Sequence, residues 1–249
     1  MKKNTMTSLL LVITFLIFQT VNAQSIKEVS FSGGAPLNTY NPSITVPLLA
    51  EAFKRNGILF HASYRPSLRS LKLSNSGVFD GELHRVYNFH QVSKGKYANL
   101  LRVESQLLSV SVAAFAIRPL HLSSWKDLRG LKVAYYRGRK NITNILDQVL
   151  EADNIIRVQD DEHAFALLVA NRVDVVVTTS NQGGKITKNT AAFSHVIEVG
   201  KLEESKIYAF MHNQHQQLAQ KIAVTLEQMK ADGTYTSIVR DARIRWMGQ

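Results

Sequence analysis

The feature that most constrains this chain is a pattern of apolar residues that changes between strand and helix periodicity and occurs twice in series. The first run predicts three strands separated by two helices, with the strands over 26–31, 58–64 and 78–83. The second run has the same order, with strands predicted over 131–136, 155–158 and 173–178. Strands that alternate with helices pair in parallel, because each crossover needs a helix to bring the chain back.

Helix signals support the same order. Ser43 is predicted to cap the first helix, Pro47 then falls in its first turn, and Pro66 opens the second helix. In the second run, Asp161 is predicted as a cap, and two amphipathic helices follow at the end of the chain, over about 218–229 and 234–244. The helices thus carry apolar faces suited to covering both predicted sheets.

Two further segments are predicted to be strands: 107–117 lies between the two runs, and 206–211 follows the second run. Strands that cross between two halves of a protein can form a hinge. We therefore predict an α/β protein with two lobes, each a mostly parallel sheet flanked by helices, joined by two hinge strands. A single six-stranded sheet remains the alternative.

The first 23 residues predict export. Lys2 and Lys3 precede an apolar run that is shorter than a membrane span, and Ala23 ends a small-residue cleavage site. We interpret 1–23 as a signal peptide cleaved after Ala23, which places the mature protein in the periplasm. A retained membrane anchor is the weaker alternative.

Composition removes several function classes. The chain has no cysteine, which excludes disulfides and thiolate chemistry. The formal net charge of +11 attracts anions to any cleft that the basic residues line. Those residues are scattered and form no aromatic-interleaved basic motif, so we expect no nucleic-acid partner. His212 and His215 stand without a carboxylate at ligand spacing, and we predict no metal site and no cofactor.

Several segments carry a resemblance to a known family. They are 66–71 (PSLRSL), 75–85 (NSGVFDGELHR), 97–103 (YANLLRV), 124–133 (SWKDLRGLKV) and 166–177. In this order the chain resembles family 3 of the bacterial solute-binding proteins, in particular a small proteobacterial branch diverged from the amino-acid binders. The resemblance implies the type II periplasmic binding protein fold, with lobe 1 formed by 24–112 plus 207–249 and lobe 2 by 113–206.

The resemblance also implies capture of a small solute for an ABC importer. Amino-acid binders of the family carry an arginine about a dozen residues after the aspartate that matches Asp80, and this chain has Gln91, Val92 and Ser93 there. Those binders also place an acidic residue after the strand that ends near 177, where this chain has Thr178 and Thr179. The two groups that grip an amino acid are thus absent from the matching positions.

Two positions predict anion binding. Arg85 is expected just past the third strand, where a guanidinium could take a carboxylate or phosphate through two hydrogen bonds; pairing with Glu82 is the alternative. The turn Gly138, Arg139, Lys140 and Asn141 leads from a strand into a helix, whose free N–H groups favour an anion. Within this turn Asn141 is interpreted as the helix cap, and a solvated basic turn is the alternative.

Four polar side chains complete the predicted site. Asn38 and Tyr40 follow the first strand and could offer a polar contact and a ring, while Thr178 and Thr179 could donate hydrogen bonds from the other lobe. Each could instead serve only local packing or strand termination.

The predicted function is binding without chemistry, by a monomer that captures an anionic or zwitterionic solute. A membrane permease is the expected partner, and a membrane-bound sensor protein is the alternative. An enzyme such as a dehydratase on the same fold would need a general acid or base in the cleft, for which Glu82, His84 and His90 are the candidates. No motif supports that reading, and we predict that the protein is not an enzyme.

Overall fold

The computed structural model describes residues 26–137 and 139–248. The predicted signal peptide, 1–23, lies outside the described residues. Within the described part the chain forms nine strands, which are β1 Glu28–Gly33, β2 Leu59–Tyr64, β3 Gly81–Val86, β4 Leu100–Arg102, β5 Leu108–Ala116, β6 Val133–Tyr136, β7 Ile155–Val158, β8 Val175–Thr179 and β9 Ile197–His212.

Eight α-helices accompany these strands. They are α1 Tyr40–Arg55, α2 Ser67–Asn75, α3 Phe89–Val92, α4 Lys140–Val149, α5 Asp161–Val169, α6 Ser180–Asn189, α7 Gln216–Ala231 and α8 Thr234–Met247. No helix in the described ranges is long and apolar enough to cross a membrane.

The strands are hydrogen-bonded in the order β2-β1-β3-β9-β5-β8-β6-β7, and β4 pairs with β9 at the side. The outer pairs are parallel, as the alternating pattern predicts: β1 with β2 and β3, and β6 with β7 and β8. The two central strands, β5 and β9, run antiparallel to each other and to their outer neighbours. Each half is therefore a parallel sheet bordered by one antiparallel strand.

Separate groups of buried side chains give the molecule two lobes. The first group comes from α1, α7, α8 and the β1–β3 side of the sheet, and includes Phe31, Leu48 and Met211. The second half has a core on each face of its sheet, centred on Tyr135 and on Phe165. Helices cover both faces of a largely apolar sheet, as parallel sheets require. We call the half built on the first group the first lobe and the other the second lobe.

The lobes are joined by β5 and β9, which are the two predicted crossing strands. They pair from Leu108 with Ile207 to Ala116 with Ile197, and their register shifts between Val112 and Ala113 and again between Ala114 and Phe115. Such shifts mark bulges, which bend a strand and increase its twist. The direction of the sheet thus changes where one lobe gives way to the other.

Three predicted boundaries are wrong by a few residues. Helix α1 begins at Tyr40, so Ser43 is not its cap; the Ser43 hydroxyl donates to the Tyr40 carbonyl, and Pro47 lies inside the helix. The cap of α5 is Asp160, whose side chain accepts a hydrogen bond from the His163 N–H at 2.7 Å. Strand β3 begins three residues later than predicted, which places Arg85 within it.

Candidate functional site

A cleft of about 360 Å³ lies between the two lobes. The first lobe lines it with residues from the loop after β1 and from the ends of two helices, namely Asn38, Thr39, Tyr40, Asn41 and Trp246. The second lobe lines it with the residue before α4, the end of β8 and residues of α6, namely Arg139, Thr179, Gln182 and Lys185. The volume is at the lower end of the range for small-molecule sites, which fits a small solute.

The topology explains why these residues meet. The loop that contains Asn38 follows the carboxyl end of β1, while Arg139 and Thr179 follow β6 and β8. Ligands of parallel sheets collect at the carboxyl ends of the strands, because the loops there are free of the sheet and helices begin there. The two lobes therefore present equivalent edges to one another.

Arg139 is held by a carboxylate of its own lobe. Its two terminal nitrogens donate to the two oxygens of Asp161 at 2.5 and 2.6 Å, and its guanidinium carbon lies 5.3 Å from the centre of the Tyr136 ring. Asp161 is buried. A two-pronged pair of this kind fixes the guanidinium and neutralises most of its charge.

Tyr40 and Trp246 form an aromatic pair on the first-lobe wall. The ring centres are 5.0 Å apart in an edge-to-face arrangement. The Tyr40 hydroxyl accepts a hydrogen bond from Arg243 Nε at 3.2 Å, which holds the ring on the first-lobe wall. Edge-to-face pairs of this kind add rigidity as well as apolar area.

The two threonines at the end of β8 have different positions. Thr179 lines the cleft and is the cap of α6, where its hydroxyl accepts a hydrogen bond from the Gln182 N–H at 3.3 Å. Thr178 is fully buried, does not line the cleft, and its hydroxyl has no hydrogen-bond partner among the described residues. Successive side chains of a strand point to opposite faces, so only one of the two can reach the cleft.

Helix α6 connects the lobes through its side chains. Lys185 Nζ donates to the Trp246 carbonyl oxygen at 3.1 Å and lies 4.6 Å from the centre of the Trp246 indole. One turn later, Asn189 Nδ2 donates to the Met247 carbonyl oxygen at 3.0 Å. These carbonyls belong to the last turn of α8, which leaves them without helical partners. The cleft is thus closed on one side by contacts between α6 and α8.

Arg85 does not line this cleft. Its Nε donates to Glu82 Oε2 at 2.8 Å, and Nη2 lies 2.6 Å from the same oxygen. Nη1 donates more weakly to the Ser67 hydroxyl at 3.3 Å. The structure therefore shows the pairing with Glu82, because both residues lie on β3 rather than in a loop beyond it. A contact between Arg85 and a solute stays a prediction.

Glu82 is fully buried within a group of hydroxyls. Ser70 and Ser74 donate to its Oε1, and Ser32 lies 2.7 Å from the Ser70 hydroxyl and 3.1 Å from that of Ser74. All three serines are fully buried. This network joins β1, α2 and β3 behind the loop that lines the cleft. Burial raises the pKa of the Glu82 carboxyl, and the Arg85 charge opposes that rise.

His84 lies next to this network without taking part in it. Its Nδ1 is buried and has no hydrogen-bond partner within the described part of the chain. Burial lowers the pKa of His84 to about 3, and the Arg85 charge adds to the effect. The imidazole is therefore neutral at physiological pH.

Comparison with known proteins gives few sequence relatives and many structural ones. No protein-family model matches the chain. An uncharacterized protein from Shewanella oneidensis is 25% identical over 201 residues, which cover 79% of this chain and 74% of that protein.

Two solved structures are similar over nearly their whole length. One is a probable amino-acid ABC transporter extracellular-binding protein from Bacillus subtilis, with a TM-score of 0.65, 15% identity, and coverage of 90% of this chain and 99% of that chain. The other is a histidine kinase sensor domain described as similar to periplasmic binding proteins, with a TM-score of 0.58, 17% identity, and coverage of 90% and 97%. The chain has the type II periplasmic binding protein fold.

Placed on this fold, the predicted site residues fall into three groups. Asn38, Tyr40, Arg139 and Thr179 come together in the interlobe cleft, and their contact with a solute stays a prediction. Thr178 and Arg85 lie elsewhere. Of the remaining turn, Gly138 and the side chains of Lys140 and Asn141 lie outside what the structure describes. Helix α4 begins at Lys140 with Arg139 as its cap residue, so the interpretation of Asn141 as the cap is wrong.

Sequence reasoning missed Gln182, Lys185 and Trp246. The first two lie on α6, which contains Gly183 and Gly184 in succession, and paired glycines argue against a helix. Trp246 lies beyond the predicted end of the last helix, which in fact continues to Met247. The apolar positions Ile238, Ala242 and Trp246, spaced by four residues, are the signal that could have extended that helix.

Proposed function

We propose that the protein is an exported solute-binding protein of family 3, which captures a small anionic or zwitterionic solute between its lobes. The observation that carries the proposal is the cleft itself, where four of the predicted residues converge from both lobes. Solute contacts with both lobes favour the closed form, because a ligand shifts a conformational equilibrium by its difference in affinity for the two forms. The strands β5 and β9 are the hinge about which closure occurs.

The proposed lobe boundaries follow the crossing strands. Lobe 1 comprises 24–112 and 207–249, and lobe 2 comprises 113–206. The separation of the buried clusters supports this division, since Leu108 and Ile207 belong to the first core while Ala114 and Leu202 belong to the second. Periplasmic localisation rests on the signal peptide predicted over 1–23.

Delivery to an ABC importer is the proposed role of the captured solute. The similarity to the Bacillus subtilis transporter component supports it. The similarity to a histidine kinase sensor domain favours a second role, in which the closed form contacts a membrane-bound signalling protein. Deletion of the gene separates the two: loss of solute uptake indicates transport, whereas unchanged uptake with loss of a transcriptional response indicates sensing.

An enzymatic role is less well supported. Glu82 is enclosed by serines and paired with Arg85, and the half-buried His84 is neutral. Neither of these side chains, nor His90, lines the cleft in the part of the chain that the structure describes. A general acid or base must lie within hydrogen-bond reach of the group that it serves. We therefore propose binding by a monomer without catalysis and without a cofactor.

Thermal unfolding of the mature protein tests solute capture. The panel contains amino acids, dicarboxylates, polyamines, sugars and phosphate esters. A solute at a hundred times its dissociation constant should add about 2.7 kcal/mol to the free energy of unfolding, which corresponds to a rise in Tm of roughly 5 to 10 °C. Small-angle scattering with the same solute should show a smaller radius of gyration. Stabilisation by no member of the panel would contradict solute capture.

A further inference from the structure

The described lining of the cleft has more positive than negative charge, and this restricts the chemical class of the solute. We infer that the solute is a carboxylate without an amino group, and that Lys185 is the residue whose ammonium group pairs with that carboxylate. The inference rests on the proposed function, because it assumes that the cleft is the solute site. It excludes amino acids and polyamines, which carry an ammonium group.

A solute with an ammonium group would need a carboxylate side chain in the cleft. Within residues 26–137 and 139–248, no aspartate or glutamate lines the cleft. Asp161 lies beside Arg139, but each of its oxygens already accepts a hydrogen bond from that guanidinium. An ammonium group enclosed without a carboxylate partner loses its hydration and gains no compensating charge. Such an unpaired charge is an effective means of rejecting the wrong ligand.

Two described side chains give the cleft its positive charge. Arg139 and Lys185 line the cleft, and Arg139 is paired with Asp161. Lys185 has no carboxylate within 4.0 Å among the described residues, and its ammonium contacts the Trp246 carbonyl and indole face. A lysine ammonium has three donors, so it can keep the carbonyl contact and still donate to a carboxylate in the cleft. Among the side chains that the structure describes, Lys185 is therefore the cation whose charge is available to a solute.

The cleft is also lined by uncharged polar residues and by an aromatic pair. Asn38, Asn41, Thr179 and Gln182 offer amide and hydroxyl groups, which are uncharged and bind hydroxyl or carbonyl oxygens of a solute. Tyr40 with Trp246 supplies an apolar wall beside Lys185. This combination suits a carboxylate whose carbon skeleton lies against the aromatic pair.

Two matched series of small molecules test the inference by calorimetry and thermal unfolding. The first is 3-phenylpropionate, L-phenylalanine and 2-phenylethylamine; the second is glutarate, L-glutamate and 1,5-diaminopentane. At least one of the two carboxylates should bind, and a carboxylate that binds should do so about tenfold or more tightly than its amino-acid and amine counterparts, the effect of an unpaired charged group. Preference for an amino acid or an amine would overturn the inference and leave solute capture intact. Binding of neither carboxylate would also overturn it, and the broader panel would then decide whether any solute is captured.

Substitution of Lys185 tests its role. Lys185→Gln should raise the dissociation constant of the bound carboxylate by about tenfold or more, as expected for loss of a charged hydrogen bond, while Lys185→Arg should retain binding. Lys188→Gln is the matched control, because Lys188 is exposed on the same helix and its loss should change affinity less than twofold. Unfolding temperatures of all three variants check that α6 remains folded. Equal affinity of the Lys185→Gln variant and the wild type would remove Lys185 from the site.

Discussion

Replacement of Arg85 by alanine is expected to lower the free energy of unfolding by about 3 kcal/mol at neutral pH, because it leaves a buried carboxylate unpaired. Glu82 is fully buried, and Arg85 is the only cation that contacts it among the described residues. Ser70 and Ser74 donate hydrogen bonds to Glu82 but carry no charge. Urea denaturation of the variant and the wild type measures the difference.

The effect of this substitution should depend on pH. The folded-state pKa of Glu82 lies above its usual value of 4.5, so ionisation of Glu82 costs stability as the pH rises from about 4.5 through the folded-state pKa. The Arg85 charge lowers that folded-state pKa, and its removal therefore raises the pKa further and increases the cost. The difference in unfolding free energy between wild type and variant should be small below about pH 4.5 and grow towards neutral pH. A difference that does not change with pH would contradict this account.

A double variant separates the effect of Arg85 on stability from its effect on solute binding. Glu82→Gln removes the charge that Arg85 neutralises, so Glu82→Gln combined with Arg85→Ala should recover most of the lost stability. If that double variant binds the solute as the wild type does, Arg85 serves only the network behind the cleft. Loss of binding in a stable double variant would instead support the prediction that Arg85 contacts the solute.

Alanine at Gly183 and at Gly184 should change stability in opposite directions. A Cβ atom at Gly183 would lie 2.2 Å from the Phe115 ring, which is buried against Phe165, whereas a Cβ at Gly184 would meet nothing within 4 Å. Overpacking a buried ring costs about 1–3 kcal/mol, and replacing an unobstructed helical glycine by alanine gains about 0.5–1 kcal/mol. The pair is well matched, since both positions lie in the middle of α6.

Denaturant titrations of the two glycine variants measure this difference. Gly183→Ala should also weaken solute binding, because Gln182 and Lys185 move with the helix when it is pushed from β5. Gly184→Ala should leave binding unchanged. Equal stability of the two variants would show that Phe115 can move aside without cost.

Most of the fold can be predicted from the sequence, because the periodicity of its apolar residues is strong. The strand predicted over 155–158 agrees with β7 in both bounds, and the crossing segment predicted over 107–117 contains all of β5. Both segments are apolar and bounded by polar or turn residues, and burial then decides their conformation. The order of parallel pairs follows from the alternation of strands with helices.

The site is harder to predict, because it depends on shifts of a few residues in where strands and helices begin and end. Strand β3 begins at Gly81 rather than Val78, and this shift moves Arg85 from a cleft loop into a strand beside Glu82. A Cβ at Gly81 would lie 2.3 Å from the Phe210 carbonyl, so this glycine allows a close approach of β3 to β9 that the local sequence does not reveal. Lys185 and Trp246 are 61 residues apart in the chain, and only tertiary structure shows that they meet.

The pairing of β5 with β9 has a consequence for the construction of the molecule. The chain enters the second lobe along β5 and leaves it along β9, and Val112 stands opposite Glu203 at that passage. The second lobe is therefore a cassette whose two ends emerge side by side. Excision of that cassette and closure of the gap by a short hairpin turn would leave the first lobe with its strand order unchanged. The same junction would accept a foreign lobe in a chimaera, provided that its ends lie one strand spacing apart.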